Sequence, residues 1–116
     1  NVFTKGAQTS RFDREALAKS SFDPTAKLVS KPDGWYLTFA TDPAWAAEQR
    51  RGLVTTAVLG KAKLPNQEFT HPDGSPVTID ADYFGSPRNP ENPFPGPFEK
   101  TAGEVRVWPK AAASAK

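Results

Sequence analysis

The 116-residue chain contains no cysteine and no methionine, and His71 is its single histidine. The absence of cysteine excludes disulfides and thiolate chemistry, and it fits secreted, periplasmic and cytosolic proteins equally well. No apolar run approaches the ~20 residues that a membrane-spanning helix needs, and no signal-peptide pattern is present, so we expect no membrane partner. Because the first residue is not methionine, we expect a processed product, an excised domain or a fragment.

An excess of charge of one sign is also lacking. Fifteen basic and 13 acidic residues leave a net charge of +2, although the sequence pI is near 9.0. Proteins that bind nucleic acids concentrate lysine and arginine in a patch or stripe that follows the phosphates. Here Arg50 and Arg51 are the only adjacent basic residues. We therefore expect no nucleic-acid partner.

Proline and glycine are abundant, with 12 and 8 residues. This content argues against a helical bundle and favours strands and loops. Apolar residues make up 37% of the chain, enough for the core of one small domain. Strand-like patterns occur at 27–30, 35–40, 53–59, 77–83 and 104–108. The first two flank Asp33-Gly34, which predicts a hairpin with Gly34 at positive φ.

Two segments have helical patterns. Asp42 is a good N-cap, Pro43 suits the first helical position and Gly52 suits the C-cap, which predicts a short helix between them. A helical turn is also predicted within residues 10–20. The predicted fold class is mainly β with one or two short helices, as a single β-rich domain over 1–109 followed by a flexible tail, 110–116.

Residues 87–97, which we call the strap, contain five prolines. Proline lacks a backbone N–H and fixes φ, so this segment is neither helix nor central strand. Phe94 within the strap and Phe98 directly after it are its large apolar side chains. We predict that both pin the strap onto the strands, Phe98 in a buried position. In the link before it, at 61–70, Leu64 and Phe69 are the predicted anchors.

Asp80 and Asp82 lie on one face of the predicted strand 77–83, with Cα atoms roughly 6.5–7 Å apart. Three interpretations stay open: a glycosidase pair, two oxygen ligands of a calcium site, and structural pairing, for example with Arg88. Structural pairing is favoured, so we assign no catalytic residue, no metal site and no cofactor, with calcium as the one ion that these weak candidates would suit. His71, in a polar turn without a serine or cysteine motif, is not assigned to catalysis.

The aromatic side chains carry the binding hypothesis. Trp35 and Trp108 lie in predicted strands and are expected in the core. Tyr36, Trp45 and Phe94 are the candidates for stacking on a sugar ring, and we expect Tyr36 and Trp45 to be exposed. The competing interpretation is that a small β domain uses all its large aromatics in the core.

Four motifs occur in order: Leu-Val-Thr-Thr-Ala-Val-Leu-Gly-Lys-Ala at 53–62, Pro-Asp-Gly-Ser-Pro at 72–76, Ile-Asp-Ala-Asp-Tyr-Phe-Gly-Ser-Pro-Arg at 79–88 and Pro-Gly-Pro-Phe-Glu at 95–99. Together they resemble the closing segment of secreted right-handed parallel β-helix proteins that act on polysaccharides, particularly β-xylosidase-type glycoside hydrolases. Residues 1–7 resemble the strand and turn of a last coil in such proteins.

The resemblance implies the C-terminal capping or accessory segment of a secreted or periplasmic glycoside hydrolase that acts on a plant-type polysaccharide such as xylan. The family's catalytic carboxylates lie upstream, so none is carried over to this chain. The fold would be the terminal part of a β-helix or a small β domain. The implied partners are the rest of a larger enzyme or a second chain, and carbohydrate. Two alternatives remain: a small carbohydrate-binding β domain, and a structural or interaction domain without sugar chemistry.

Overall fold

The computed structural model describes residues 1–100 and 103–109, so the predicted tail at 110–116 lies outside the described residues. Seven short strands and two short helices occur in this part of the chain, which confirms a mainly β fold with two short helices. The strands are β1 (Val2–Thr4), β2 (Leu17–Lys19), β3 (Lys27–Lys31), β4 (Gly34–Thr38), β5 (Val54–Thr55), β6 (Thr78–Ile79) and β7 (Glu104–Trp108). The helices are α1 (Trp45–Glu48) and α2 (Thr56–Leu59). No helix in the described ranges is long and apolar enough to cross a membrane.

Strands β3, β4 and β7 form an antiparallel sheet with β4 in the centre. The predicted hairpin is confirmed, and its turn is Pro32-Asp33 because Lys31 already pairs with Gly34. Gly34 has the predicted positive φ, +149°. A Cβ on this residue would overlap the backbone carbonyl oxygen of Trp108 on β7. Glycine is therefore needed at position 34 for two reasons: the positive φ directly after the turn, and the close approach of β7 to β4.

Strands β1 and β2 pair in parallel, with Val2 opposite Leu17. The helical turn predicted within residues 10–20 is wrong. Asp13 instead closes a non-helical turn, because its carboxylate accepts hydrogen bonds from the backbone N–H of Ser10 at 2.8 Å and from the Ser10 hydroxyl at 2.7 Å. Although this segment contains good helix formers, the hydrogen bond from the backbone to the Asp13 side chain stabilises a turn instead of a helix.

The strand predicted at 53–59 is divided between β5 and α2. Thr55 causes the change of direction, because its extended backbone (φ −126°) and its hydroxyl, which accepts from the Val58 N–H at 3.3 Å, form an N-cap. The strand predicted at 77–83 shrinks to β6, which pairs with β5. The strand is short because a turn follows it, in which the Asp82 carboxylate accepts the backbone N–H of Phe84 at 2.9 Å. The strands are therefore divided among three short sheets.

Helix α1 is shorter than predicted. Asp42 accepts the Ala44 N–H at 2.9 Å, but the predicted N-cap is wrong: Ala44 is the N-cap, and the helix begins at Trp45. The last helical residue is Glu48, and the C-cap is Gln49 rather than Gly52. The backbone of Gln49 is extended, with φ −138°. Asn92 of the strap donates to the Ala46 carbonyl at 2.7 Å and accepts the Arg51 N–H at 3.1 Å. These are backbone groups that another helical turn would have used, so the strap ends the helix.

The core is a chain of aromatic rings along the strap. Among the described residues, the large hydrophobic side chains that are buried are Trp45 and Phe98, each 4% exposed. Phe98 contacts three rings, those of Phe39, Tyr83 and Phe84. The predicted burial of Phe98 is confirmed. Trp45 packs between Phe22 and Phe94.

Several expectations about exposure are wrong. Trp45, expected at the surface, is buried, while Trp35 and Trp108, expected in the core, are 44% and 65% exposed. Leu64, a predicted anchor, is fully exposed, and Phe69 is 46% exposed. The alternating pattern assigned each tryptophan to a strand face, but the small sheets leave part of each face uncovered.

Candidate functional site

The strap is held in place by an ion pair whose side chains are only 10% and 13% exposed. The Arg88 guanidinium donates to the Phe94 carbonyl at 3.0 Å and to the Gly96 carbonyl, and lies 3.6 Å from the Glu99 carboxylate. Glu99 in turn accepts the backbone N–H groups of Asn89 and Phe94, each at 3.1 Å. Charged side chains thus supply the hydrogen bonds that a proline-rich segment cannot make with itself.

Asp82, which is half-buried, is a second support of the strap. Its Oδ1 accepts the N–H groups of Phe84 and Ser86, both at 2.9 Å, and its Oδ2 accepts that of Glu99 at 3.2 Å. Burial alone would raise the pKa of Asp82, but these backbone hydrogen bonds, with the charge of Arg88, lower it below its ordinary value. A carboxylate committed to three backbone donors is poorly suited to proton transfer or metal binding.

Asp80 is exposed, and its backbone carbonyl accepts the Arg88 N–H at 2.7 Å. The predicted ion pair of Arg88 with this strand is replaced by the pair with Glu99. No group of three or more histidine, cysteine, aspartate or glutamate side chains in the described ranges is arranged to hold a metal ion. His71 lies in a turn, as predicted. Its backbone N–H donates to the Ser75 carbonyl at 2.9 Å.

A first cavity, of about 590 Å³, separates β1 from the strap. Its walls include Leu37, Phe39, Trp45 and Phe98, together with prolines on both sides. No titratable side chain occurs among its lining residues, all of which the structure describes. This cavity suits apolar contact.

A second cavity, of about 410 Å³, lies on the other side of the strap. Arg51 and Arg88 are its charged side chains, the N-terminal ammonium of Asn1 also lines it, and Pro93, Pro95 and Pro97 form one wall. All three guanidinium nitrogens of Arg51 are buried without a hydrogen-bond partner. Burial lowers the pKa of Arg51 from its ordinary value, while the charge of Glu15 raises it. This is the most unusual electrostatic feature of the described chain.

The predicted sugar-stacking residues are not presented together. Tyr36 is half-buried on β4, where its hydroxyl donates to Asp33 at 2.6 Å and Lys31 lies 4.2 Å from its ring centroid. Phe94 is half-buried and stacks on Trp45, with ring centroids 6.5 Å apart. Trp45 is 4% exposed and lines the cavity between β1 and the strap, so it is not presented at the surface as expected.

The aromatic surface that the sequence analysis missed is formed by Trp35 and Trp108. They are direct partners across β4 and β7, at the end of the sheet next to Pro32-Asp33. Both indole rings are substantially exposed. A signal for this was available in the sequence: Trp35 follows Gly34, and Trp108 precedes Pro109. Residues next to a glycine or proline often lie at strand ends, and strand ends lie at the margin of a sheet.

Comparisons with known proteins identify one informative relative. No sequence family matches the chain, and no curated protein matches it. A solved structure described as the complex of XylC with xylose matches with a TM-score of 0.78 and 25% sequence identity. The match covers 93% of this chain and 17% of XylC. Nearly all of this chain therefore has the fold of a small part of a larger protein that was solved with xylose.

Proposed function

We propose that this chain is the C-terminal capping or accessory segment of a secreted carbohydrate-active enzyme, a glycoside hydrolase that acts on a plant-type polysaccharide such as xylan. The observation that carries the proposal is the match of 93% of the chain to 17% of XylC, a protein solved with xylose. The motifs at 53–62, 72–76, 79–88 and 95–99 are independent support, since they resemble the closing segment of β-xylosidase-type enzymes.

The amount of uncovered apolar surface supports an accessory role. Twelve large hydrophobic side chains are exposed, whereas Trp45 and Phe98 are the buried ones among the described residues. The accessible surface of the chain is 8416 Å², compared with about 6200 Å² expected for a compact monomer of this mass. A segment that packs against a larger body would have such a surface before assembly.

The pairing of β1 with β2 supports a β-helical parent. Parallel sheets are normally covered on both faces, and their strands are usually connected through a helix. Here two parallel strands are connected by residues 5–16, which contain no helix. In a β-helix, successive coils stack parallel strands with just such irregular connections, so β1 and β2 would be the last coils of a longer stack.

The experiment is to express the chain alone and to measure sedimentation velocity, binding of a hydrophobic dye and the exchange of the β1 and β2 amide hydrogens. An accessory segment should bind dye strongly, self-associate and exchange rapidly at β1 and β2. The Phe12→Ser variant, which replaces a side chain that is 72% exposed, should bind less dye and keep its stability. A monomer that binds little dye and protects β1 and β2 would overturn the proposal in favour of an independent domain.

A second candidate function is carbohydrate binding by the chain itself, favoured by the exposed cross-strand pair of Trp35 and Trp108. Tryptophan offers a large apolar ring face, of the kind that stacks on the C–H face of a sugar ring. Calorimetric titration with xylo-oligosaccharides should then show weaker binding for Trp35→Ala and Trp108→Ala but not for Phe12→Ala. No binding heat in any of the four proteins would favour an interaction domain without sugar binding. Equal binding heats in all four would mean that the sugar binds away from this tryptophan pair.

A further inference from the structure

Strand β3 is a free edge of the β3–β4–β7 sheet. The central strand β4 pairs with β3 on one side and with β7 on the other, so the second edge of β3 faces away from the sheet. All five residues of β3 are exposed. Its two apolar side chains are well accessible, Leu28 at 59% and Val29 at 42%. An exposed edge of this kind is a template on which a further strand can pair.

The register of the hairpin identifies the backbone groups on this edge. Two residues connect β3 to β4, so the residues that flank the turn form a hydrogen-bonded pair, and such pairs recur at every second position. Lys27, Val29 and Lys31 therefore bond to β4, whereas Leu28 and Ser30 direct their N–H and C=O groups outward. These four groups make no hydrogen bond to any described residue. A partner strand could bond to all of them.

One face of the sheet beside this edge carries an exposed apolar row. Leu28 lies opposite Leu37, and Trp35 lies opposite Trp108, which places all four side chains on the same face. Leu28, Trp35 and Trp108 are 59%, 44% and 65% exposed. A strand added to β3 would place an apolar side chain directly beside Leu28, at the end of this row. That contact would remove apolar surface from water, in addition to the backbone pairing.

The charges of β3 indicate the chemistry of its partner. The strand carries Lys27 and Lys31 at its two ends and no acidic residue. Lys31 forms an ion pair with Glu104, whereas Lys27 forms none with any described residue. In an antiparallel pair of two copies centred on Val29, each Lys27 would lie opposite a Lys31, and like charges directly opposite are destabilising. Residues 110–116 contain two lysines and no acid. The charges therefore favour an acidic partner over a second copy or this segment.

We propose that the free edge of β3 binds an extended acidic segment of a separate protein chain, which adds an antiparallel strand to the sheet. Its backbone bonds to the outward N–H and C=O groups of Leu28 and Ser30, and its carboxylates lie opposite Lys27 and Lys31. Strand addition of this kind takes its affinity from the main chain and its specificity from alternate side chains. This edge is separate from the β1–β2 pair, at which the proposed parent enzyme would stack, because the two belong to different sheets.

The test measures the fluorescence anisotropy of a labelled, amidated peptide, Ser-Glu-Thr-Val-Leu-Glu-Ser, titrated with the full chain. In the antiparallel register its glutamates lie opposite Lys27 and Lys31, and its leucine lies opposite Leu28. One control peptide has lysine at both glutamate positions. A second has N-methyl groups on threonine and leucine, whose N–H groups would point to β3. We expect saturable binding of the first peptide, weakened by added salt, and at least about tenfold weaker binding of both controls.

Variants of the chain then locate the bound peptide. Ser30→Pro removes an outward N–H and none of the hydrogen bonds to β4, a position at which an edge strand tolerates proline, and it should abolish binding. Ser30→Ala keeps the N–H and should bind as the wild type does. Lys27→Glu should weaken binding by about fivefold, whereas the exposed Lys63→Glu should not. The N-methylated peptide tests the same contact on the wild-type chain, so the result does not depend on the folding of Ser30→Pro.

The outcomes separate the possible occupants of the edge. Equal binding of the glutamate and lysine peptides would overturn the acidic partner, and equal binding of the N-methylated peptide, or no binding at all, would overturn strand addition. Self-association that is lost in Ser30→Pro but kept in Ser30→Ala would assign the edge to a second copy. Binding that occurs only in a chain ending at Pro109 would assign it to residues 110–116. Either result would overturn the proposal, and none of them changes the dye-binding and amide-exchange test of the accessory role.

Discussion

At the scale of single residues, Asp82 is the carboxylate on which the turn before the strap depends. Replacing it with asparagine leaves one acceptor oxygen for three backbone N–H groups. We expect Asp82→Asn to lower the free energy of unfolding by about 1–3 kcal/mol at pH 7, because hydrogen bonds to a charged acceptor are lost. Urea unfolding measures the change, and the exposed Asp80→Asn is the matched control, expected to be nearly neutral.

The same carboxylate predicts a pH dependence. The pKa of Asp82 is lower in the folded protein than its ordinary value of 3.8, so the unfolded state takes up the proton first as the pH falls. Its stabilising effect is complete above the unfolded pKa and is lost as the pH falls through the folded pKa. The difference in unfolding free energy between wild type and Asp82→Asn should be constant from neutral pH down to about 5 and shrink below about 4. A constant difference down to pH 2 would contradict this account.

Gly34 offers a second test at a single residue. Its positive φ resembles that of Gly74, at +83°, but only at Gly34 would a Cβ meet the backbone of another strand. Gly74→Ala should carry only the left-handed backbone penalty of roughly 1–2 kcal/mol. Gly34→Ala should lower the unfolding free energy by more than this, and should change the tryptophan fluorescence, since Trp35 and Trp108 adjoin the clash. Equal effects in thermal unfolding would show that β7 adjusts freely.

At the scale of elements, the strap depends on its aromatic anchors. Phe98 is 4% exposed and touches three rings, whereas Phe94 is half-buried and stacks on Trp45. Phe98→Ala should therefore lower the unfolding free energy by ~3–5 kcal/mol, and Phe94→Ala by clearly less. Chemical unfolding monitored by circular dichroism gives both values. A larger loss for Phe94→Ala would mean that the strap is held mainly through α1.

Helix α1 shows how one element limits another. The helix predicted from Asp42 and Pro43 begins two residues later than expected, at Trp45 with Ala44 as its N-cap, although Asp42 accepts the Ala44 N–H. Its end could not be predicted from Gly52, since the carbonyl of Ala46 is taken by Asn92, which is 46 positions away in the chain. A hydrogen bond at that sequence separation leaves no trace in a local pattern.

At the scale of the whole molecule, we predict that the chain alone has no glycosidase activity. Asp82 is occupied by backbone donors, and the described residues that line the apolar cavity between β1 and the strap include no titratable side chain. A pair of carboxylates free to act as acid and nucleophile is what such catalysis requires. Assays on aryl xylosides and arabinosides should show no turnover. Turnover that is lost in both Asp80→Asn and Asp82→Asn would contradict the prediction.

The sequence by itself determined the mainly β class, the hairpin of β3 and β4, the strand β7 and the burial of Phe98. Alternation, turn residues and proline restrictions act over a few neighbouring residues, so they can be recognised without the fold. The tertiary structure alone decided that Trp45 is buried while Trp35 and Trp108 are exposed, and that the three guanidinium nitrogens of Arg51 lack a hydrogen-bond acceptor. Burial depends on which distant segment covers a surface, and here the strap covers Trp45 and Arg51 but leaves the end of the β3–β4–β7 sheet open.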